Sequence, residues 1–218
     1  MRCIVYGIGS PYLHEVVETL RRSGIEVAAY VNNQPGSPNP DGIDPVTAAA
    51  DMEPGWRALP VVLPLTSPVN RRTVEREARA LGFADYPSII DPTAVAAADL
   101  RCGEGLLVNA AAVIGTRCTF GRFVLINRSA SIGHDVALGD FVTIGPAASL
   151  GGMCRVETGA FIGIGAVIAP EVTVGPDAFV GAGAVVIRDI PEACTVFGNP
   201  ARVIRRDRRA SVDARGRP

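Results

Sequence analysis

The sequence holds two histidines, His14 and His134, so any imidazole chemistry rests on one of them. His134 is followed directly by Asp135. A carboxylate beside an imidazole fixes its tautomer and supports the imidazolium that forms when the ring takes a proton, which is the arrangement of a general base. His14 falls in or beside a helical stretch and reads more simply as a surface histidine. The five cysteines, Cys3, Cys102, Cys118, Cys154 and Cys194, form no CxxC pair, and with so few His no metal site is expected. All 21 basic residues are Arg, and without a side-chain amine Schiff-base catalysis is excluded. Against 22 acidic residues they leave a net charge of −1, which gives no field to attract nucleic acid or an anionic membrane.

A repeat must position His134. Stepping by six from Val108 to Val186 meets an apolar residue every time, among them Ile114, Ile132, Leu150 and Ile168. After Leu106, the residue two before each is small or β-branched, and Cys118 and Cys154 fall in this phase as packing residues. The residue following each is usually Gly. A period of six fits neither a helix nor simple strand alternation, but it fits short strands with a corner after each aliphatic residue. Gly and Asn suit such corners because they tolerate positive φ. Three hexapeptides would close a triangular coil of 18 residues, with Ile114, Ile132, Leu150, Ile168 and Val186 on one inward ladder. With aromatics at 6%, the core must be aliphatic.

The same period sets Gly152 against His134 on the neighbouring coil, about 4.8 Å away if coils pair as strands do. A backbone N–H in the Leu150-Gly151-Gly152 corner could then meet an oxyanion beside the imidazole, and the paired glycines would let a thioester come close. Asn109 and Asn127 stack where Gly is the rule. Asn127 has two readings, a substrate contact near His134 or a corner residue tolerating positive φ; Asn109 reads as the second. Arg128 either binds a substrate anion or faces solvent.

Residues 1–90 lack the period. Strands are expected at 3–8, 25–31, 61–63 and 86–90, with helices at about 12–23 and 69–81, the latter ending at Gly82. The Pro-rich stretch from Asn32 to Pro60 reads as loop with a short helix near 47–52. Strands alternating with helices imply a small parallel, Rossmann-like α/β sheet. The turn Gly7-Ile8-Gly9-Ser10 after the first strand either cradles a phosphate or is only a tight turn, since the third Gly of the dinucleotide fingerprint is missing. Asn32 and Asn33, closing the second strand, could hydrogen-bond a ribose or base.

The hexapeptide pattern resembles the hexapeptide-repeat acyltransferases. The run 126–135, with Leu138-Gly139-Asp140-Phe141-Val142 and the closing Gly198-Asn199-Pro200-Ala201-Arg202, is similar to the sialic-acid O-acetyltransferase and nucleotide-aminosugar N-acetyltransferase family, over nearly the whole chain. That resemblance implies a left-handed parallel β-helix over 91–205 after a Rossmann-like nucleotide-sugar-binding domain over 1–90; 206–218, rich in Arg, reads from its composition as a basic tail. It implies acetyl-CoA as co-substrate, a homotrimer with CoA between adjacent β-helices, and a sugar or nucleotide-sugar as acceptor through an amine or hydroxyl. By the same resemblance His134 is the base, Asp135 its partner and Gly152 the donor to the thioester oxygen. Gly7, Gly9 and Ser10 form the nucleotide-side turn, and Gly151, Ala166, Gly183 and Ala184 let the pantetheine arm lie flat. Arg205 is placed to meet a CoA phosphate. Two departures from the family pattern are the inserted Ser10-Pro11-Tyr12-Leu13-His14 and the Asn pair where acidic residues are common. A non-catalytic binding scaffold and an acyltransferase for a non-sugar acceptor are the alternatives. No signal segment or apolar run of spanning length occurs, so a cytoplasmic protein is expected.

Overall fold

In a computed structural model, which describes residues 1–34, 40–43 and 46–206, the chain begins with a four-stranded parallel sheet and continues into a stack of triangular coils. The basic tail expected over 206–218 lies, from 207 onward, outside the described residues. The sheet runs in the order β3-β2-β1-β4, with β1 at Arg2–Tyr6, β2 at Glu26–Asn32, β3 at Val46–Ala48 and β4 at Val61–Val62.

Helix α1, Leu13–Arg22, returns from β1 to β2 and buries Leu13, Val16, Thr19 and Leu20 on one side, the i, i+3, i+7 stripe of an amphipathic helix. Helix α2, Pro68–Ala80, starts on Ser67, whose Oγ accepts from Asn70 N–H at 3.3 Å, with Pro68 in its first turn. It stops before Gly82, at φ +98°.

Two expectations fail in this half. The Pro-rich stretch supplies β3 followed by a short 3-10 turn, Ala49–Asp51, in place of a helix near 47–52. The strand expected at 86–90 does not join the first sheet: Ile89–Ile90 pairs in parallel with Leu107–Val108 and opens the coils.

From there, two-residue strands recur every six residues and pair with the strand 18 residues away. Among the described residues three faces result. The first runs from Ile89–Ile90 to Cys194–Phe197 and ends with the antiparallel Arg202–Arg206; the second runs from Val95–Ala96 to Val185–Val186; the third runs from Arg101–Cys102 to Thr173–Val174. Every residue of the six-step series from Val108 to Val186 is buried, and so is each residue two before it, Cys118 and Cys154 included. This dry core is one cluster, aliphatic but for Phe120 and the cysteines, each Val, Leu or Ile contributing roughly 1.5–3 kcal/mol.

The corner glycines have a different cause from the one expected. Gly115, Gly133, Gly139, Gly145 and Gly151 are not in the left-handed region. They are glycines because a Cβ on Gly133 would stand 2.7 Å from Gly152 N, and one on Gly139 would stand 2.5 Å from Thr158 N. The positive φ falls two residues later, on Ala111, Arg117, Phe123, Ser129, Asp135, Phe141, Ala147 and Met153 at +53° to +61°, a cost of about 1–2 kcal/mol each that the stacked coils outweigh. Asn109 and Asn127 likewise lack positive φ.

The first sheet docks on the first face of the coils and shares its core. Phe123 and Phe141 pack with Ile4, Tyr6 and Phe83, while Leu107 and Leu125 pack with Val5, Leu13 and Leu20. Arg71 of α2, 3% exposed, spans the junction. Its guanidinium donates to the carbonyls of Leu65 (2.6 Å), Phe123 (3.0 Å) and Phe141 (2.8 Å) and to Thr143 Oγ1 (3.0 Å). Burial pulls its pKa down to about 9, which leaves it a cation at neutral pH. Arg22 closes the other side on the buried carboxylate of Asp91.

Candidate active site

His134 sits on the corner between the second-face strand Ser131–Ile132 and the third-face strand Ala137–Leu138. This edge lies opposite the face that carries the first sheet. The tight corner follows Ile132-Gly133, and the left-handed φ of Asp135, +58°, folds its side chain back beside the ring. His134 Nδ1 lies 2.7 Å from Asp135 Oδ2. An ionised carboxylate only accepts, so Nδ1 donates, and in the neutral ring Nε2 carries the lone pair.

The coil register brings Gly152 against the ring, as the period of 18 predicts: strand Ser131–Ile132 pairs with Ser149–Leu150, and Met153 N–H donates to His134 O at 2.8 Å. A Cβ on Gly152 would stand 2.6 Å from His134 Nε2, so the imidazole lies directly over this glycine. Among the described residues no backbone carbonyl accepts from Gly152 N–H, whereas Gly151 N–H is spent on Ile168 O at 2.9 Å. A Cβ on Gly151 would meet Pro170 N at 2.6 Å.

One partner in the array was missed from sequence. Arg117, one coil before Asp135, donates through Nε to Asp135 Oδ1 at 2.7 Å and through Nη2 to Oδ2 at 2.6 Å. The guanidinium, and next the imidazole, hold the Asp135 carboxyl well below the usual carboxylate range. The signal was present in the same spacing that locates Gly152.

A second feature lies on the first sheet. Gly7, Gly9, Ser10 and Asn33 line a cleft of about 390 Å³ whose far wall is Ser67, Asn70 and Glu77 of α2 and its cap. Asn33 Nδ2 donates to Glu77 Oε2 at 2.7 Å. Asn32 does not line it; its Oδ1 accepts from Gln34 N–H at 2.9 Å.

The remaining expected residues lie elsewhere. Asn127 is 5% exposed; its Oδ1 accepts from Asn109 Nδ2 at 3.0 Å, and Asn109 in turn bonds Tyr12 OH. The substrate contact expected at Asn127 is therefore a link in a buried polar chain, and the inserted Pro11-Tyr12 supplies the other end of it. Arg128 pairs with Glu15 of α1 at 3.2 Å and so faces neither His134 nor open solvent alone. Ala166 and Ala184, both fully buried, point into the coil core and offer no floor for a pantetheine arm; Gly183 is exposed on the corner between the first and second faces. Arg205 is exposed on the last strand. Among the described residues no group of His, Cys, Asp and Glu could hold a metal, and no helix is long and apolar enough to cross a membrane.

Residues 153–188 match the family described as bacterial transferase hexapeptide (six repeats). No curated protein matches the sequence significantly. Among solved structures, a variant of the perosamine N-acetyltransferase from Caulobacter crescentus, in complex with CoA and GDP-perosamine, is 34% identical over 93% of this chain and 96% of its own, with a TM-score of 0.85. The acetyltransferase domain of PglB from Neisseria gonorrhoeae, in complex with acetyl coenzyme A, is 31% identical over 93% of this chain and 98% of its own, with a TM-score of 0.81. WeeI from Acinetobacter baumannii is 26% identical over 94% of this chain and the whole of its own, with a TM-score of 0.74. With the six-residue period, the parallel coils and this likeness along almost the full length, the chain belongs to the hexapeptide-repeat sugar acetyltransferases.

Proposed function

We propose that the protein moves the acetyl group of acetyl-CoA to an amine of a nucleotide-linked sugar, with a hydroxyl as the other acceptor its chemistry allows. The observation that carries this reading is the His134–Asp135 pair lying over Gly152. The likeness to an enzyme crystallised with CoA and GDP-perosamine supports the substrates. The acceptor nitrogen attacks the thioester carbonyl carbon while Nε2 of His134 takes its proton. The negative charge on the carbonyl oxygen is met by the Gly152 N–H, and the C–S bond then breaks, with the imidazolium returning its proton to the departing thiolate.

The half before Ile89 reads as Rossmann-like and nucleotide-binding, with Gly7, Gly9, Ser10 and Asn33 on the nucleotide side. The coils from Ile89 onward wind left-handed, as the family resemblance implies. Gly151, Gly152, Gly183 and Arg205 remain on the CoA side. A nucleotide-sugar held in the cleft over the first face cannot bring its sugar to His134 on the opposite edge of the same chain. A second copy must supply one wall, and the exposed Val95, Val113 and Val167 on the second face suit such packing. A homotrimer with three shared sites meets both needs, and a reaction drawing on acetyl-CoA fits the cytoplasm.

The test is thiol release from acetyl-CoA across a panel of nucleotide-linked amino sugars. His134→Ala is expected to fold normally and lose about 10²–10⁴-fold in kcat/KM. Activity within threefold of the parent would remove His134 as the base.

A further inference from the structure

On the corner that carries the dyad, charge alternates in sign over three successive coils. Asp99, Arg117 and Asp135 occupy the same position at intervals of 18, followed by Met153 and Glu171. Arg117 N–H donates to Asp99 Oδ2 at 3.0 Å, and the Arg117 side chain forks onto both oxygens of Asp135. The oxygen that receives Nη2 is the one that receives His134 Nδ1. Arg117 is thus one bond removed from the imidazole and touches no reacting atom in the scheme above.

We propose that Arg117 is a positioning residue of this site: its fork locks the Asp135 carboxylate in the rotamer that faces His134 and offsets its charge, so that the imidazole is held in one orientation. The inference rests on the reading of His134 as the base. The physics has two parts. A carboxylate whose rotation is fixed by two bonds gives the ring one orientation, with Nε2 over Gly152. A lone carboxylate would stabilise the imidazolium and so delay its loss of a proton as pH rises, whereas the guanidinium cancels much of that field. Other ionisable groups nearby are Asp99 behind Arg117, the buried Cys118 thiol, which donates to Gly133 O at 3.2 Å, Arg101 and Arg155 on third-face strands, and Glu171 on the same corner. Among the described residues none of these bonds to the dyad.

Arg117 can be changed without disturbing the coil, since Ala, Ser and Met take the same left-handed position on other coils. In a His14→Gln background His134 is the only imidazole, and its titration can be followed by NMR whether or not the protein turns over. Arg117→Gln is expected to raise the His134 midpoint by about 0.5–1 pH unit, the effect of removing a unit charge about 5 Å away in a partly exposed setting. The acid limb of kcat/KM should move up with it, so that the loss near pH 6.5 shrinks by pH 8.5 to the several-fold deficit that loss of the fork leaves at every pH, while KM for acetyl-CoA stays within about twofold. Arg117→Lys, which keeps the charge and loses the fork, should restore the midpoint and leave kcat several-fold low at every pH. An unchanged or lowered midpoint in Arg117→Gln, or a loss of equal size at every pH, would overturn the proposal. Should His134→Ala retain activity, the general-base reading fails on its own account, and the NMR midpoints still decide what Arg117 does to the ring.

Discussion

Replacing Gly152 by Ala would set a methyl carbon 2.6 Å from His134 Nε2 and 2.7 Å from Cε1. Non-bonded heavy atoms settle at about 3.5–4.0 Å, so the ring must retreat by roughly 1 Å. The backbone does not object, because Gly152 is not in the left-handed region. The strain therefore falls on a side chain that can swing away, and the coil stays intact. Misplacing a catalytic group by about 1 Å costs on the order of 10²-fold, equivalent to about 2.7 kcal/mol of transition-state stabilisation. Gly152→Ala should accordingly lose about 100-fold in kcat/KM by thiol release while its melting temperature changes by only a few degrees. Gly165→Ala is the matched control: nothing lies within 4 Å of the added carbon, and Ala111 and Ala147 already occupy equivalent corners. It should cost about 1 kcal/mol of stability and no activity. A Gly152→Ala enzyme within threefold of the parent would show that catalysis does not need the imidazole where this structure puts it.

Two further outcomes follow from the junction and the exposed edge. Burial alone would raise the Asp91 pKa, but hydrogen bonds from Thr93 and Arg22 outweigh it and hold the carboxyl below its ordinary range. Its contribution to stability is therefore present above the unfolded value of about 3.9 and is lost as pH falls through the lower folded one; urea midpoints of Asp91→Asn should lie below the parent at pH 7 and converge with it on acidification, and parallel curves would count against this. Light scattering at micromolar concentration should give three times the 22.7 kDa chain mass, and a monomer would remove the shared site.

The coil half was legible because its signal is redundant: a single rule, an aliphatic residue every six, places dozens of side chains, and its multiple of three sets Gly152 under His134. The same arithmetic reaches Arg117, which escaped notice because an exposed Arg on a repeat corner carries no signature until its partner is in view. The first half has no such redundancy. Ile89–Ile90 has the apolar character of either sheet, and which one it joins is decided by pairing with Leu107–Val108, a contact that local pattern does not encode. The burial of Asn127 was hidden for a related reason, since its satisfaction depends on Tyr12, 115 positions away in sequence and brought in by α1. The corner glycines were placed correctly and explained wrongly, because close approach between coils and positive φ select the same residue type.

The reach of Arg71 across the junction bears on how such enzymes could be re-engineered. Its acceptors belong to both halves, Leu65 and Thr66 on one side and Phe123, Phe141, Val142 and Thr143 on the other, and Phe123 and Phe141 complete a core whose other members precede residue 90. The first half is therefore not a detachable module. A chimera that grafts a relative's first 90 residues onto these coils, in order to exchange one sugar for another, would have to carry the outward residues of the first face along with them, or the transplanted sheet would have nothing of its own shape to close against.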